Sequence, residues 1–276
     1  FTSFKSAVAA IALFEPTVRL LLAVIMVKLG MSSFVYATIP LTFVLTFIFG
    51  WLLILATTKI ASPKKEIFKF THFPKKFFAG SLFNGLSLIS FLTLDVVLAK
   101  HYLAPEEAGK YILVSLVGKM IFFLGSLVLQ FVIPLVSRNE GANKNSRALF
   151  YKILSATIGL AFLGFLTVGL FGQYTVPLLL GDKALTILPV LLPYTFGMMC
   201  FTVSRVFISY HLTRGLYSFS VVSLLLVVVQ WVLIDMYGQS VPGIVLAMTI
   251  IGVLNLVLVS LMHFSIHAVS VFESNV

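Results

Sequence analysis

Five ionisable side chains stand inside long apolar stretches of the sequence, where charged groups are costly and usually serve a function. Two are acids and three are bases: Glu15, Asp95, Arg19, Lys119 and Arg205. A carboxylate in such a place can exchange a proton or a sodium ion. An arginine there can bind phosphate oxygens in pairs through its planar guanidinium. Glu15 and Asp95 are therefore candidates for ion coupling, and Arg19, Lys119 and Arg205 are candidates for binding an anionic substrate.

Glu15 and Arg19 are four residues apart and share one face of a helix, with Pro16 between them. Two interpretations follow from this spacing. Either Arg19 faces a cavity and binds a diphosphate, or the two side chains form an internal ion pair that neutralises both charges.

Asp95 and Lys119 lie on either side of a turn at Pro105. At 1.5 Å per residue, Asp95 is about 15 Å and Lys119 about 21 Å deep, measured from that turn. Because a lysine side chain can reach several ångströms back along its helix, the two are predicted to meet near the middle of a membrane. Such a pair could exchange a proton or sodium ion, or it could be a static ion pair between two helices.

Arg205 lies near the inner end of its apolar stretch. It either extends to the cytoplasmic interface or stands at a cavity mouth, where it attracts anionic sugar or phosphate. The amides Asn84, Gln130, Gln230 and Asn255 also lie within apolar stretches, where hydrogen bonding between helices is expected.

The sequence does not contain the residue patterns that a metal site, a cofactor site or an enzyme active site requires. His211, His263 and His267 are expected at interface positions, without an acidic or cysteine partner for a metal. The single cysteine, Cys200, reads as a small buried hydrophobe. Glu66 and Glu140 stand singly in polar segments, whereas a polyprenyl-phosphate transferase needs clustered carboxylates. The sequence therefore predicts no enzyme, no metal site and no cofactor.

The elements that position these residues follow from composition. Of 276 residues, 60% are hydrophobic and 10% are charged, against about 25% charged in soluble domains. Long apolar runs must be helices in lipid, because every backbone polar group must be satisfied internally. An all-α polytopic membrane protein with about eight transmembrane helices is predicted. The apolar stretches are 7–29, 34–57, 78–100, 107–136, 149–171, 185–210, 216–237 and 241–266.

The net charge of +10 does not indicate nucleic-acid binding, because the basic residues flank apolar stretches instead of forming one polar face. If the N-terminus is cytoplasmic, most of the basic residues lie at the cytoplasmic ends of the apolar stretches. Because eight crossings return the chain to the same side, both ends are predicted to be cytoplasmic. Residues 1–57 supply two helices, 58–77 form a basic cytoplasmic segment and 78–276 form a six-helix lobe. The segment 58–77 is either a surface amphipathic helix or a charged loop.

Two motifs resemble a known family. Residues 95–141 combine an Asp late in one span, the outer turn Pro105-Glu106-Glu107-Ala108-Gly109-Lys110-Tyr111, and a long span ending Ile133-Pro134-Leu135-Val136-Ser137-Arg138. This stretch resembles the seventh and eighth helices of polysaccharide flippases of the multidrug/oligosaccharidyl-lipid/polysaccharide exporter superfamily. Glu15-Pro16-Thr17-Val18-Arg19 resembles the fifth helix. That family generally has two six-helix lobes, so the first four helices are missing here, and with the non-Met start we expect the protein to begin upstream.

The resemblance implies a flippase of the inner (plasma) membrane. Its substrate would be a polyprenyl-diphosphate-linked oligosaccharide, moved to the outer leaflet by alternating access for surface polysaccharide synthesis, such as lipopolysaccharide O-antigen. It implies a proton or sodium gradient as the energy source, and polysaccharide polymerase and glycosyltransferases as partners. The alternatives are an ion-coupled multidrug exporter of the same superfamily and a non-functional fragment.

Overall fold

The computed structural model describes residues 2–31, 37–58, 75–142 and 146–273. Within these residues all regular structure is helical and no β-strand occurs. The chain divides into two compact units, Phe1–Phe73 and Pro74–Val276, which are considered separately below.

The described part of the first unit contains two helices, α1 (Thr2–Lys28) and α2 (Thr38–Thr58). They pack against each other, and the rings of Phe14 and Phe49 stack with their centroids 4.1 Å apart. Among the described side chains α2 gives an apolar helix, Thr38–Leu53, that is shorter than a full crossing. The membrane crossings expected of α1 and α2 stay predictions. The segment 58–77, predicted as an amphipathic helix or a charged loop, falls largely on residues 59–74, outside the described residues.

Over residues 75–142 and 146–273 the second unit contains eight α-helices. They are α3 (Lys75–Tyr102), α4 (Pro105–Leu129), α5 (Val132–Gly141), α6 (Ser146–Gly164), α7 (Gly172–Leu180), α8 (Leu188–Thr213), α9 (Ser218–Tyr237) and α10 (Val241–Glu273). A π-helical turn, Phe165–Leu170, continues α6, and a 3-10 helix, Gly181–Thr186, follows α7.

Six segments of this unit are long and apolar enough to cross a membrane, with mean hydropathies between 1.4 and 2.6. The all-α polytopic membrane fold predicted from the sequence is therefore confirmed. The six segments are Lys75–Tyr102, Pro105–Gly141, Ser146–Leu170, Leu188–Thr213, Ser218–Tyr237 and Val241–Ile266.

Two local features depart from the predicted stretches. The single run predicted over 107–136 is interrupted between α4 and α5, where the amide of Phe131 bonds to the carbonyl of Val128, three residues back. Pro134 has no N–H to donate to the carbonyl of Gln130, which favours an interruption at this point. Residues 172–184, predicted as a break, instead form α7 and most of the 3-10 helix.

Helix α8 is the centre of the second unit, since 78% of its most apolar stretch is buried. It packs most closely against α10, where Gly197 and Gly252 face each other. A Cβ at Gly197 would lie 2.7 Å from the Cα of Thr249. Close backbone approach through small residues is how helices associate in lipid, where burial of apolar surface gives no driving force.

Candidate functional site

A single buried carboxylate organises a polar cluster within the second unit. The ammonium Nζ of Lys119 donates to both Oδ1 and Oδ2 of Asp95, at 2.9 Å each. Three hydroxyls donate to Oδ2 as well: Tyr111 at 2.8 Å, Ser115 at 3.1 Å and Tyr194 at 3.1 Å. Asp95 is 0% exposed and Lys119 7% exposed. The cluster is thus a buried ion pair whose carboxylate accepts hydrogen bonds from four side chains.

Three helices converge on this cluster. Asp95 belongs to the buried face of α3. Tyr111, Ser115 and Lys119 are spaced four residues apart on α4, so they line one face of that helix. Tyr194 comes from α8, and its ring lies directly against Gly118 of α4, where a Cβ would overlap it. The glycine therefore gives the ring the space through which its hydroxyl reaches Asp95.

The predicted meeting of Asp95 and Lys119 is confirmed, while their role in ion coupling stays a prediction. Sequence reasoning missed the three hydroxyl partners. Tyr111 and Ser115 could have been found from their four-residue spacing to Lys119. Tyr194 is 99 residues from Asp95 along the chain, and no local pattern points to it.

Arg205 of α8 forms a second polar cluster with the early part of α3. Its Nη1 donates to Ser87 Oγ at 3.2 Å, and its Nη2 donates to the backbone carbonyl of Asn84 at 3.2 Å and to the Asn84 side-chain oxygen. The guanidinium carbon also lies 5.9 Å from the centroid of the Phe201 ring. Arg205 is 3% exposed. No carboxylate of the described residues lies within ion-pair distance of it.

These contacts overturn one interpretation of Arg205. The side chain does not extend to an interface, because its guanidinium is held inside the bundle by acceptors on α3. The predicted hydrogen bonding of amides between helices is confirmed for Asn84, Gln230 and Asn255, and for Gln130 it stays a prediction. Asn84 accepts from Arg205 on α8, Asn255 of α10 donates to Ser223 of α9 at 3.5 Å, and Gln230 of α9 donates to the carbonyl of Phe91 of α3 at 3.2 Å.

An aromatic layer separates the two clusters. The rings of Phe91 on α3 and Phe201 on α8 stack with centroids 3.5 Å apart and planes inclined by 3°. Along α3, Phe91 lies midway between Ser87 and Asp95. Both polar clusters therefore use the same pair of helices, with buried apolar rings between them.

The first unit holds the remaining two predicted residues. Arg19 Nη1 lies 3.5 Å from Glu15 Oε1, and the two side chains are 45% and 43% exposed. The structure shows the ion pair that was one of the two interpretations of their spacing, with both side chains half exposed instead of internal. Their exposure leaves Arg19 accessible, and its role in binding substrate stays a prediction.

The histidine placement was wrong for two of the three residues. His211 of α8 and His263 of α10 are fully buried, with His211 Nε2 2.8 Å from His263 Nδ1. The His211 ring also stacks on Phe219. The side chain of His267 lies outside the described residues. Cys200 is buried, as predicted, and the described residues contain no cluster of three or more His, Cys, Asp or Glu suited to a metal.

Comparison of the chain with protein-family models, with curated proteins and with solved structures finds no match. The fold and the chemistry of the two clusters are therefore the basis on which its function is considered. By its six apolar segments, this is a multi-pass membrane protein.

Proposed function

We propose that this chain is part of a membrane flippase that moves a polyprenyl-diphosphate-linked oligosaccharide from the cytoplasmic to the outer leaflet by alternating access. In this proposal the protein serves cell-surface polysaccharide synthesis in the plasma membrane, with both ends of the chain cytoplasmic. The observation that carries it is Arg205, a guanidinium buried in a membrane unit whose hydrogen-bond partners among the described residues are all neutral oxygens.

A buried cation without a counter-ion costs several kcal/mol. A phosphate group of the substrate would remove that cost, because guanidinium and phosphate form paired, charge-assisted hydrogen bonds. The present partners of Arg205 are neutral oxygens, so phosphate oxygens would be stronger acceptors than those they replace. Asn84 is only half-buried, and the adjacent Gly85 faces open space. This part of α3 is therefore where a substrate phosphate would approach.

The Asp95–Lys119 pair supports an energy-coupled process in place of passive movement. A carboxylate and an ammonium in direct contact at this burial can pass a proton between them, which changes two charges at once. Because the Lys119 ammonium is engaged by Asp95, we assign Lys119 to the coupling pair and leave substrate binding to Arg205, with Arg19 of the first unit as a second candidate.

The test is translocation of the lipid itself. The protein is reconstituted into liposomes with a fluorescent polyprenyl-diphosphate sugar, and a membrane-impermeant reductant reports which leaflet holds the label. We expect translocation by the wild type, and a rate reduced about 10-fold or more by Arg205→Gln, because hydrogen bonds to charged groups contribute about 1.5–3 kcal/mol each. The translocation rate of Arg205→Lys should fall between those of the wild type and Arg205→Gln. Lysine keeps the positive charge but cannot form the paired hydrogen bonds of a guanidinium.

The matched control is Arg138→Gln, the same change at an exposed arginine of α5, which should translocate like the wild type. Equal rates for Arg205→Gln and the wild type would contradict the assignment of Arg205. Transport of organic cations without movement of the lipid would favour the ion-coupled multidrug exporter.

A further inference from the structure

The position of the Lys119 ammonium relative to Asp95 is that of a cation bound by both oxygens of a carboxylate. Nζ is equidistant from Oδ1 and Oδ2, at 2.9 Å. The hydroxyls of Tyr111, Ser115 and Tyr194 all lie within hydrogen-bonding distance of the same carboxylate. Oxygen atoms of carboxylates and neutral groups are also the ligands of hard metal cations. The cluster therefore has the composition of a cation site with an ammonium in the cation's place.

We propose that Lys119 is a built-in cation of this site, which makes the Asp95 carboxylate unavailable to Na⁺ in the native chain. One carboxylate and one ammonium sum to zero charge. A metal ion added beside them would leave a net positive charge in a buried environment, at a cost of several kcal/mol. The cluster thus works without Na⁺, and this holds whichever substrate the protein carries.

The converse follows for a chain that lacks the ammonium. With methionine at position 119 the Asp95 charge stays buried and loses its counter-ion. The three hydroxyls then supply neutral oxygens around a single negative charge. A monovalent cation that enters would restore neutrality, so such a variant should acquire a Na⁺ dependence that the native chain lacks.

The experiment measures thermal unfolding of the full chain in detergent, in NaCl against choline chloride at equal ionic strength. The wild type should show the same Tm in both salts, within about 1 °C. Lys119→Met should unfold at a lower Tm in choline and gain roughly 3 °C or more in saturating Na⁺, because a ligand that binds only the folded state stabilises it. Asp95→Asn combined with Lys119→Met should lose this gain. Lys152→Met, the same change at an exposed lysine, should behave like the wild type.

Two outcomes would overturn the proposal. One is a Na⁺-dependent rise in the wild-type Tm that Asp95→Asn with Lys119→Met abolishes, since the native carboxylate would then bind Na⁺. The other is a folded Lys119→Met protein whose Tm does not change with Na⁺, Li⁺ or K⁺.

If Lys119→Met does not fold, binding of ²²Na⁺ to wild-type protein decides between the two results. No binding above that of the Asp95→Asn, Lys119→Met variant supports the built-in cation, and binding that depends on Asp95 refutes it. Because these readouts involve no substrate, their failure is distinguishable from failure of the flippase proposal.

Discussion

At the scale of single residues, Asp95 connects three helices through one carboxylate. Its partners lie on α4 and α8, and each hydrogen bond joins side chains that are buried in the protein. Removing the negative charge is therefore a different perturbation from removing both charges. The charged state of Lys119 is tolerable only because Asp95 is beside it.

Asp95→Asn should lower the free energy of unfolding by roughly 3–5 kcal/mol, because it leaves the ammonium of Lys119 buried and unpaired. The double variant Asp95→Asn, Lys119→Met should recover most of that loss, since it removes both charges together. Chemical unfolding in mixed micelles measures both values. A double variant as unstable as the single one would show that hydroxyl contacts, and not the charge balance, hold this cluster together.

The sequence permitted prediction of this cluster only in part. Asp95 and Lys119 lie in neighbouring apolar stretches on either side of one turn. Their depths, calculated from the helical rise per residue, were close enough to predict that they pair. Tyr194 could not be paired, because its contribution depends on the space left at Gly118 of another helix. One of the two interpretations of Arg205, extension to the interface, was wrong for a related reason. Its distance from the helix end suggested an escape to the interface, whereas Asn84 and Ser87 supply acceptors within reach.

At the scale of helices, hydropathy predicted the six crossings of the second unit because lipid leaves long apolar segments no other regular structure. What hydropathy does not report is where a crossing is interrupted. Gln130 is a single polar residue in an otherwise apolar run, and the interruption there depends on hydrogen-bond geometry and on Pro134. Helix α7 is apolar yet lies between two crossings, so its separate existence was not predicted.

The contact between α8 and α10 gives a prediction at this scale. In Gly252→Ala the new Cβ would overlap the carbonyl group of Gly197, which is backbone and cannot rotate away. We expect the variant to lose about 1–3 kcal/mol of stability, the usual cost of overpacking. The measurement is again unfolding in mixed micelles.

Gly159→Ala is the matched control for that change. Gly159 is an exposed residue within α6, and a Cβ there would meet nothing within 4 Å. Because alanine favours the helix over glycine, the change should stabilise the protein by up to about 1 kcal/mol. Equal effects at the two glycines would mean that α8 and α10 can separate at little cost, contrary to the close backbone contact.

At the scale of the whole molecule, the proposed direction of transport depends on which side of the membrane each loop faces. Ala142 and Asp182 are both exposed and are separated by one crossing segment, Ser146–Leu170. They should therefore lie on opposite sides. The distribution of lysine and arginine predicts a cytoplasmic position for Ala142.

Cysteine labelling tests this orientation. In a Cys200→Ala background, Asp182→Cys should react with a membrane-impermeant maleimide in intact cells, and Ala142→Cys only after permeabilisation. The native Cys200, 5% exposed, should remain unreactive under both conditions. The reverse labelling pattern would invert the proposed topology and with it the direction of substrate movement.

The interruption between α4 and α5 has a consequence for the lipid around the protein. A straight helix over the 37 residues Pro105–Gly141 would measure about 55 Å, against a hydrocarbon thickness of about 30 Å. The interruption allows the last ten residues to leave the direction of α4 without strain in its hydrogen bonds. The chain can then adjust to changes in bilayer thickness at Gln130 and Phe131. The part of α4 that carries Lys119 keeps its position against Asp95. The protein should therefore remain folded across bilayers whose acyl chains differ by several carbons in length.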